Sequence, residues 1–134
     1  MSWVLKKPVF GDHICVSRGL YSHHGIYASD DCIIHFASNE LGHETDPNYA
    51  SICITDIQNF CRDGKLLVRE FTDLELKEKR MPQDVVNYAF TKLGEKGYDL
   101  LHNNCEHFAN ECLFGKRVSS QVDNIKDLLT NLFK

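Results

Sequence analysis

Three residues in this sequence have the types and the spacing to carry nucleophilic chemistry. Cys105 stands in the run Asn103-Asn104-Cys105-Glu106-His107-Phe108, where either Asn can cap a helix. With Asn103 as the cap, Glu106 falls at the N3 position of a capping box. Either choice puts Cys105 in the first helical turn. There the positive end of the helix dipole favours thiolate, and backbone N–H groups can meet a developing oxyanion. A cysteine nucleophile also needs a base nearby, usually histidine. His23 and His35 are the candidates. They lie in two short β-prone runs, residues 22–28 and 32–37, separated by Ser29-Asp30-Asp31. That pattern signals a β-hairpin.

The hairpin register decides whether the two histidines can work together. If residues 29–31 form the loop, Ala28 pairs with Cys32 and His23 faces Ala37. His35 then lies diagonally beside His23, on one face with Gly25, Tyr27 and Ile33. A loop of two or four residues would put the histidines on opposite faces, unless a bulge restores the register. His24 would point to the other side of the strand. His102, Cys105, His107 and Cys112 also cluster in sequence, but their spacing matches no common structural zinc pattern. No metal site and no cofactor are assigned. His13, His43 and His102 have no evident partner.

These residues need elements to position them. Residues 11–17 open the first strand-like run. Residues 38–50 are polar, contain Gly42 and Pro47, and read as a loop. Residues 51–55 are β-prone, and Asp56 can cap a turn of helix through Ile57 and Phe60. Residues 65–71 form another strand candidate. Residues 72–80 alternate in charge and read as a solvated connection. Pro82 fits the first turn of a helix carrying Val85, Val86, Ala89, Phe90 and Leu93 at helical spacing. Gly94 or Gly97 can end it. In the helix after Cys105, the inward face is Phe108, Ala109, Cys112 and Leu113. Val122, Ile125, Leu128, Leu129, Leu132 and Phe133 make an amphipathic C-terminal helix.

The 134 residues are the size of one domain. Fifteen basic and nineteen acidic side chains give a net charge of −4, which argues against non-specific nucleic-acid binding. No apolar run approaches the roughly 18–20 residues needed to cross a bilayer. The first ten residues have no apolar h-region, so export is not expected. The six cysteines include no CxxC pair, and several sit in apolar runs. They read as reduced packing residues in a cytoplasmic protein, with Cys105 set apart.

The order of four boxes adds a resemblance. Gly11-Asp12-His13-Ile14, then Tyr21-Ser22-His23-His24-Gly25-Ile26-Tyr27, then Ile34-His35-Phe36, and finally Asn103-Asn104-Cys105-Glu106-His107-Phe108 resemble the lecithin:retinol acyltransferase (LRAT) family, which includes the H-rev107-like phospholipases and acyltransferases. That family belongs to the circularly permuted branch of the NlpC/P60 papain-like superfamily. The resemblance covers roughly residues 8–118 and is loose in the middle. It implies a single LRAT-like domain over 1–134 of the α+β class, with an antiparallel sheet packed against helices. It aligns Cys105 with the nucleophile, at a helix N-terminus, His23 with its general base and His35 with the third, orienting residue.

The chemistry implied is acyl transfer from a (phospho)lipid ester through a thioester acyl-enzyme, of phospholipase A1/A2 or O/N-acyltransferase type. Two alternatives stand beside it. One is a thiol amidase or peptidase of the NlpC/P60 type. The other is a non-catalytic interaction domain, as in viral relatives that share the boxes. The expected partner is a lipid or acyl-ester substrate, with transient membrane-surface contact and no transmembrane anchor. Animal members commonly carry a hydrophobic C-terminal anchor, and Trp where this chain has His24. On both points the chain looks closer to soluble plant and microbial members.

Overall fold

The computed structural model describes residues 2–40, 42–100 and 103–115. The described elements are β1 (Ser2–Val4), β2 (His13–Ser17), β3 (Ser22–Ser29), β4 (Cys32–Ala37), β5 (Ser51–Thr55), α1 (Ile57–Cys61), β6 (Leu67–Glu70), α2 (Asp73–Glu78), α3 (Pro82–Thr91) and α4 (Cys105–Phe114). The strands form one sheet in the order β1-β6-β2-β3-β4-β5, and every neighbouring pair is antiparallel. The fold is therefore α+β with an antiparallel sheet. The amphipathic stretch expected over 119–134 lies outside the described residues.

Strand alternation gives the sheet two buried faces. Ile26, Ile34, Phe36 and Ile52 face α3 and α4, where they pack with Val85, Ala89, Phe108 and Leu113. Burying each of the larger side chains stabilises by about 1.5–3 kcal/mol. Ile14, Val16, Tyr27, Ile33 and Val68 face the other way and pack around Phe60 of α1. On α3, Val85, Val86 and Ala89 are buried, while Phe90 keeps substantial exposure and Leu93 lies past the helix end. The apolar stripe on that helix is thus narrower than its sequence suggests.

The β3–β4 hairpin solves the register problem by a route that combines the sequence options. Ser29 pairs with Cys32, so the turn itself is the two residues Asp30 and Asp31. That turn alone would put His23 and His35 on opposite faces. A bulge between Tyr27 and Ser29 takes up one residue, and the pairs Tyr27↔Ile33 and Ile26↔Ile34 follow. Beyond the bulge the register is the one a three-residue loop gives.

Two local features differ from the sequence reading. Residues 73–78 are helical because Thr72 and Glu75 form a reciprocal capping box, although none of that helix is buried. In α4 the N-cap is Asn104, not Asn103, and the N3 residue of the capping box is His107. Asn104 Oδ1 accepts from the amides of Glu106 and His107, both at 3.0 Å. Cys105 is consequently the first residue of the helix. Gly115 ends it in the left-handed region at φ 75°, a conformation glycine adopts without a Cβ penalty.

Candidate active site

His23 and His35 meet on the α1 face of the sheet. His23 Nε2 lies 2.8 Å from His35 Nδ1. His35 Nε2 lies 2.9 Å from Asn39 Oδ1, and Asn39 Nδ2 donates to the Ile54 carbonyl at 3.1 Å. That last bond orients the amide and fixes the tautomers along the chain. Asn39 Oδ1 accepts, so His35 Nε2 carries a proton and His35 Nδ1 accepts. His23 Nε2 must then donate, and a neutral His23 presents an unprotonated Nδ1. Phe60 packs against both rings, with centroids 5.0 Å and 6.1 Å away. Gly25 makes room for it. A Cβ there would sit 2.8 Å from Phe60 Cε2.

His23 Nδ1 faces Glu44, whose Oε1 is 4.0 Å away. Glu44 comes from the loop between β4 and β5 and is bound on every side. Arg18 Nε donates to Oε1 at 2.9 Å, Arg62 Nη2 to Oε2 at 3.0 Å, and the Tyr21 hydroxyl to Oε1. Arg18 also donates to the Phe60 carbonyl at 2.6 Å, tying the loop acid to α1. Burial by itself raises the Glu44 carboxyl pKa, but the bonds from Arg18 and Tyr21 and the two guanidinium charges outweigh it and hold it below the usual range. A cleft of about 520 Å³ opens beside His35, lined by Ser38, Asn39, Glu44, Asp56 and Arg62 among others.

Cys105 approaches from the opposite layer, at the start of α4. Its Sγ lies 3.9 Å from the Ser22 carbonyl. The thiol thus meets the β3 backbone at the residue before His23. In this structure its hydrogen bond goes to Ser22 and not to an imidazole. Burial pushes the Cys105 pKa up to about 12, with Glu106 and Glu44 adding to the rise. Desolvation thus outweighs the helix dipole at this thiol. Burial also drives His23 well below its ordinary value, aided by His35 and Arg18. His35 falls to about 4 for the same first reason, partly offset by its bond to Asn39. Thiol and imidazoles all rest neutral at pH 7.

The residues considered for zinc have other work. His107 Nδ1 accepts the Asn104 amide at 3.0 Å, and Cys112 is buried in the α3–α4 core. His102 lies outside the described residues. Among the described residues no group of three or more His, Cys, Asp or Glu side chains is arranged to hold a metal ion. All six cysteines are among the described residues, and all are free thiols.

A sequence model of the family described as lecithin retinol acyltransferase matches residues 6–118, which is most of the chain. The chain belongs to the lecithin retinol acyltransferase family. Among the curated members, mouse lecithin retinol acyltransferase is 28% identical over 89% of this chain and 60% of its own length. The bovine protein is 31% identical, over 84% of this chain and 57% of its own length. Rat phospholipase A and acyltransferase 5 is 29% identical over 90% of this chain and 44% of its own length. The chain thus spans less than two thirds of these family members.

Sequence reasoning singled out His23, His35 and Cys105 but not Asn39, Glu44 or Arg18. Asn39 follows His35 by four residues, past the strand end, where no pairing rule applies. Glu44 sits in a polar loop among other acids, and nothing in its spacing distinguishes it. Tyr21 lies inside the histidine box and was visible there, without a role.

Proposed function

We propose that this chain is a cysteine-dependent acyltransferase or lipid esterase that works through a thioester on Cys105, with His23 as general base and His35 as its orienting partner. The relay Asn39–His35–His23 is the observation that carries this reading, because it leaves the lone pair of His23 on Nδ1. Apo geometry at such sites is often loose and tightens with substrate, so the thiol's present bond to Ser22 is compatible with transfer to His23.

The thiol proton moves to His23 Nδ1 as Sγ attacks the ester carbonyl. Glu44 faces that nitrogen and stabilises the imidazolium that forms. The Asn104 side chain occupies the Glu106 and His107 amides, and the Asn104 carbonyl takes that of Phe108, which leaves the Cys105 amide as the first-turn donor for the oxyanion. Collapse breaks the C–O bond, and His23 returns its proton to the leaving alkoxide. Water, an alcohol or an amine then gives a proton to Nδ1, attacks the thioester and releases the thiolate, which is reprotonated. The acyl donor is a (phospho)lipid ester, in keeping with the names of the relatives.

The test is a substrate panel of phosphatidylcholine, simple acyl esters and peptide amides, run with wild type, Cys105→Ala and His23→Gln. Ester turnover that falls at least about 10³-fold in both variants supports the reading. Turnover of amides alone assigns the chain to peptidase chemistry. No turnover, with Cys105 inert to iodoacetamide, leaves a non-catalytic domain.

A further inference from the structure

A second histidine relay runs behind the first, on the α4 face of the sheet. It starts at Arg69 on β6, whose Nη2 donates to Glu75 at 2.6 Å and whose Nη1 donates to Asn110 Oδ1 at 2.8 Å. The guanidinium also lies over the rings of Phe71 and Phe114. Arg69 Nη1 is 3.3 Å from His13 Nδ1, and His13 Nε2 is 2.9 Å from His24 Nδ1. Trp3 packs edge-on against both imidazoles.

The direction of this relay is fixed by its first member. A guanidinium only donates, so His13 Nδ1 accepts and His13 Nε2–H donates to His24 Nδ1. His24 therefore carries its own proton on Nε2. That nitrogen is buried and has no hydrogen-bond partner among the described residues. It faces the Glu106 carboxylate, with Oε2 4.0 Å away, about 1 Å beyond hydrogen-bond length. His24 is 3% exposed and Glu106 is 1% exposed.

The placement of the pair gives it a use. His24 follows His23 on β3, and Glu106 follows Cys105 on α4. Glu106 and Asn110 are one turn apart on the same helix face. The relay thus reaches α4 at two points, through Arg69 at Asn110 and through His24 at Glu106. We propose that His24 and Glu106 are a positioning pair for Cys105: the His24 Nε2–H closes onto the Glu106 carboxylate and seats the first turn of α4 against β3, with the thiol at His23. This rests on the reading of Cys105 and His23 as nucleophile and base. Outer groups that orient the ligands of a metal centre are commonly worth ten- to a hundredfold in function, and that scale is taken for this pair.

Two variants separate the bond from the charge. Glu106→Gln and Glu106→Leu both remove the carboxylate charge that raises the thiol pKa, but only Gln keeps an acceptor for His24. With folding checked by circular dichroism, the Leu variant is expected to show kcat at least about tenfold below the Gln variant, with KM within about twofold. Iodoacetamide alkylation of Cys105 should show the same ratio, and it needs no ester turnover, so a failed assignment of the reaction does not obscure it. Equal rates in the two folded variants overturn the proposal. If the Leu variant does not fold, the wild-type protein decides through its imidazole ¹⁵N shifts. His24 protonated on Nε2 is expected, and His24 protonated on Nδ1 overturns the relay.

Discussion

Mild acid should destabilise this domain strongly, and the size of the effect follows from its buried histidines. His24 and His35 have folded pKa values of about 4 against an ordinary 6.5, mainly through burial. The unfolded chain takes up these protons near pH 6.5, while the folded chain refuses them until near pH 4. Their contribution to stability is therefore complete above pH 6.5 and is lost as the pH falls towards 4. At pH 5 each has lost roughly 2 kcal/mol by this linkage. His13 and His23 are also driven well below the ordinary value and add losses of the same sign. Glu44 is depressed from 4.5 and loses its contribution only below that, so it adds nothing between pH 7 and 5. A total of about 4 kcal/mol or more is a large share of the roughly 5–15 kcal/mol that holds a domain together. Urea unfolding at pH 7, 6 and 5 measures it directly. His35→Gln should reduce the pH slope by about 1.4 kcal/mol per pH unit between 6.5 and 4. A wild-type stability that changes by less than about 1 kcal/mol from pH 7 to 5 would refute the reasoning.

Three further variants probe the same structure. Glu44→Gln removes a charge that raises the Cys105 pKa and leaves Arg18 and Arg62 uncompensated, so Cys105 should react faster with iodoacetamide at pH 8. The same change should cost about 2 kcal/mol of stability by weakening charge-assisted hydrogen bonds, read by urea unfolding. Gly25→Ala forces a methyl group within 2.9 Å of both Phe60 and Ile33, and should cost about 1–3 kcal/mol in the same assay. Asn104→Ala frees two amides of the first α4 turn, and should cost about 1 kcal/mol while lowering ester turnover by loosening Cys105.

Much of the fold was legible because its local signals are strong. The β3–β4 hairpin, the Asp56 cap, Pro82 at the start of α3 and Gly115 at the end of α4 each follow from one or two residues. The hairpin turn was harder. A bulge is a backbone event with no composition of its own, so only the final register could be argued, not the turn length. Asn103 and Asn104 are equally good caps in isolation, but Asn103 is engaged by backbone pairing with Asp99 and by the Gly97 carbonyl, which leaves Asn104 to cap α4. For the candidate site, the histidines and Cys105 stand in recognisable boxes. Glu44 and Asn39 belong to a loop whose path depends on Arg18, Tyr21 and Ile54, residues distant in sequence. His13 has no partner until β2 pairs with β3 and β6, which brings His24 and Arg69 to it. The protonation of the thiol was not legible for a related reason. A dipole is visible in a sequence, whereas complete burial is not.

The thioester itself tests the account most directly. Wild-type protein mixed with a short-chain phosphatidylcholine and quenched in acid should gain the mass of one acyl group. Peptide mapping should place it on Cys105, and hydroxylamine should remove it. Cys105→Ala should show none, and His23→Gln should form it far more slowly. An acyl adduct that persists in Cys105→Ala, or ester turnover with no adduct at Cys105 under rapid quench, contradicts the account.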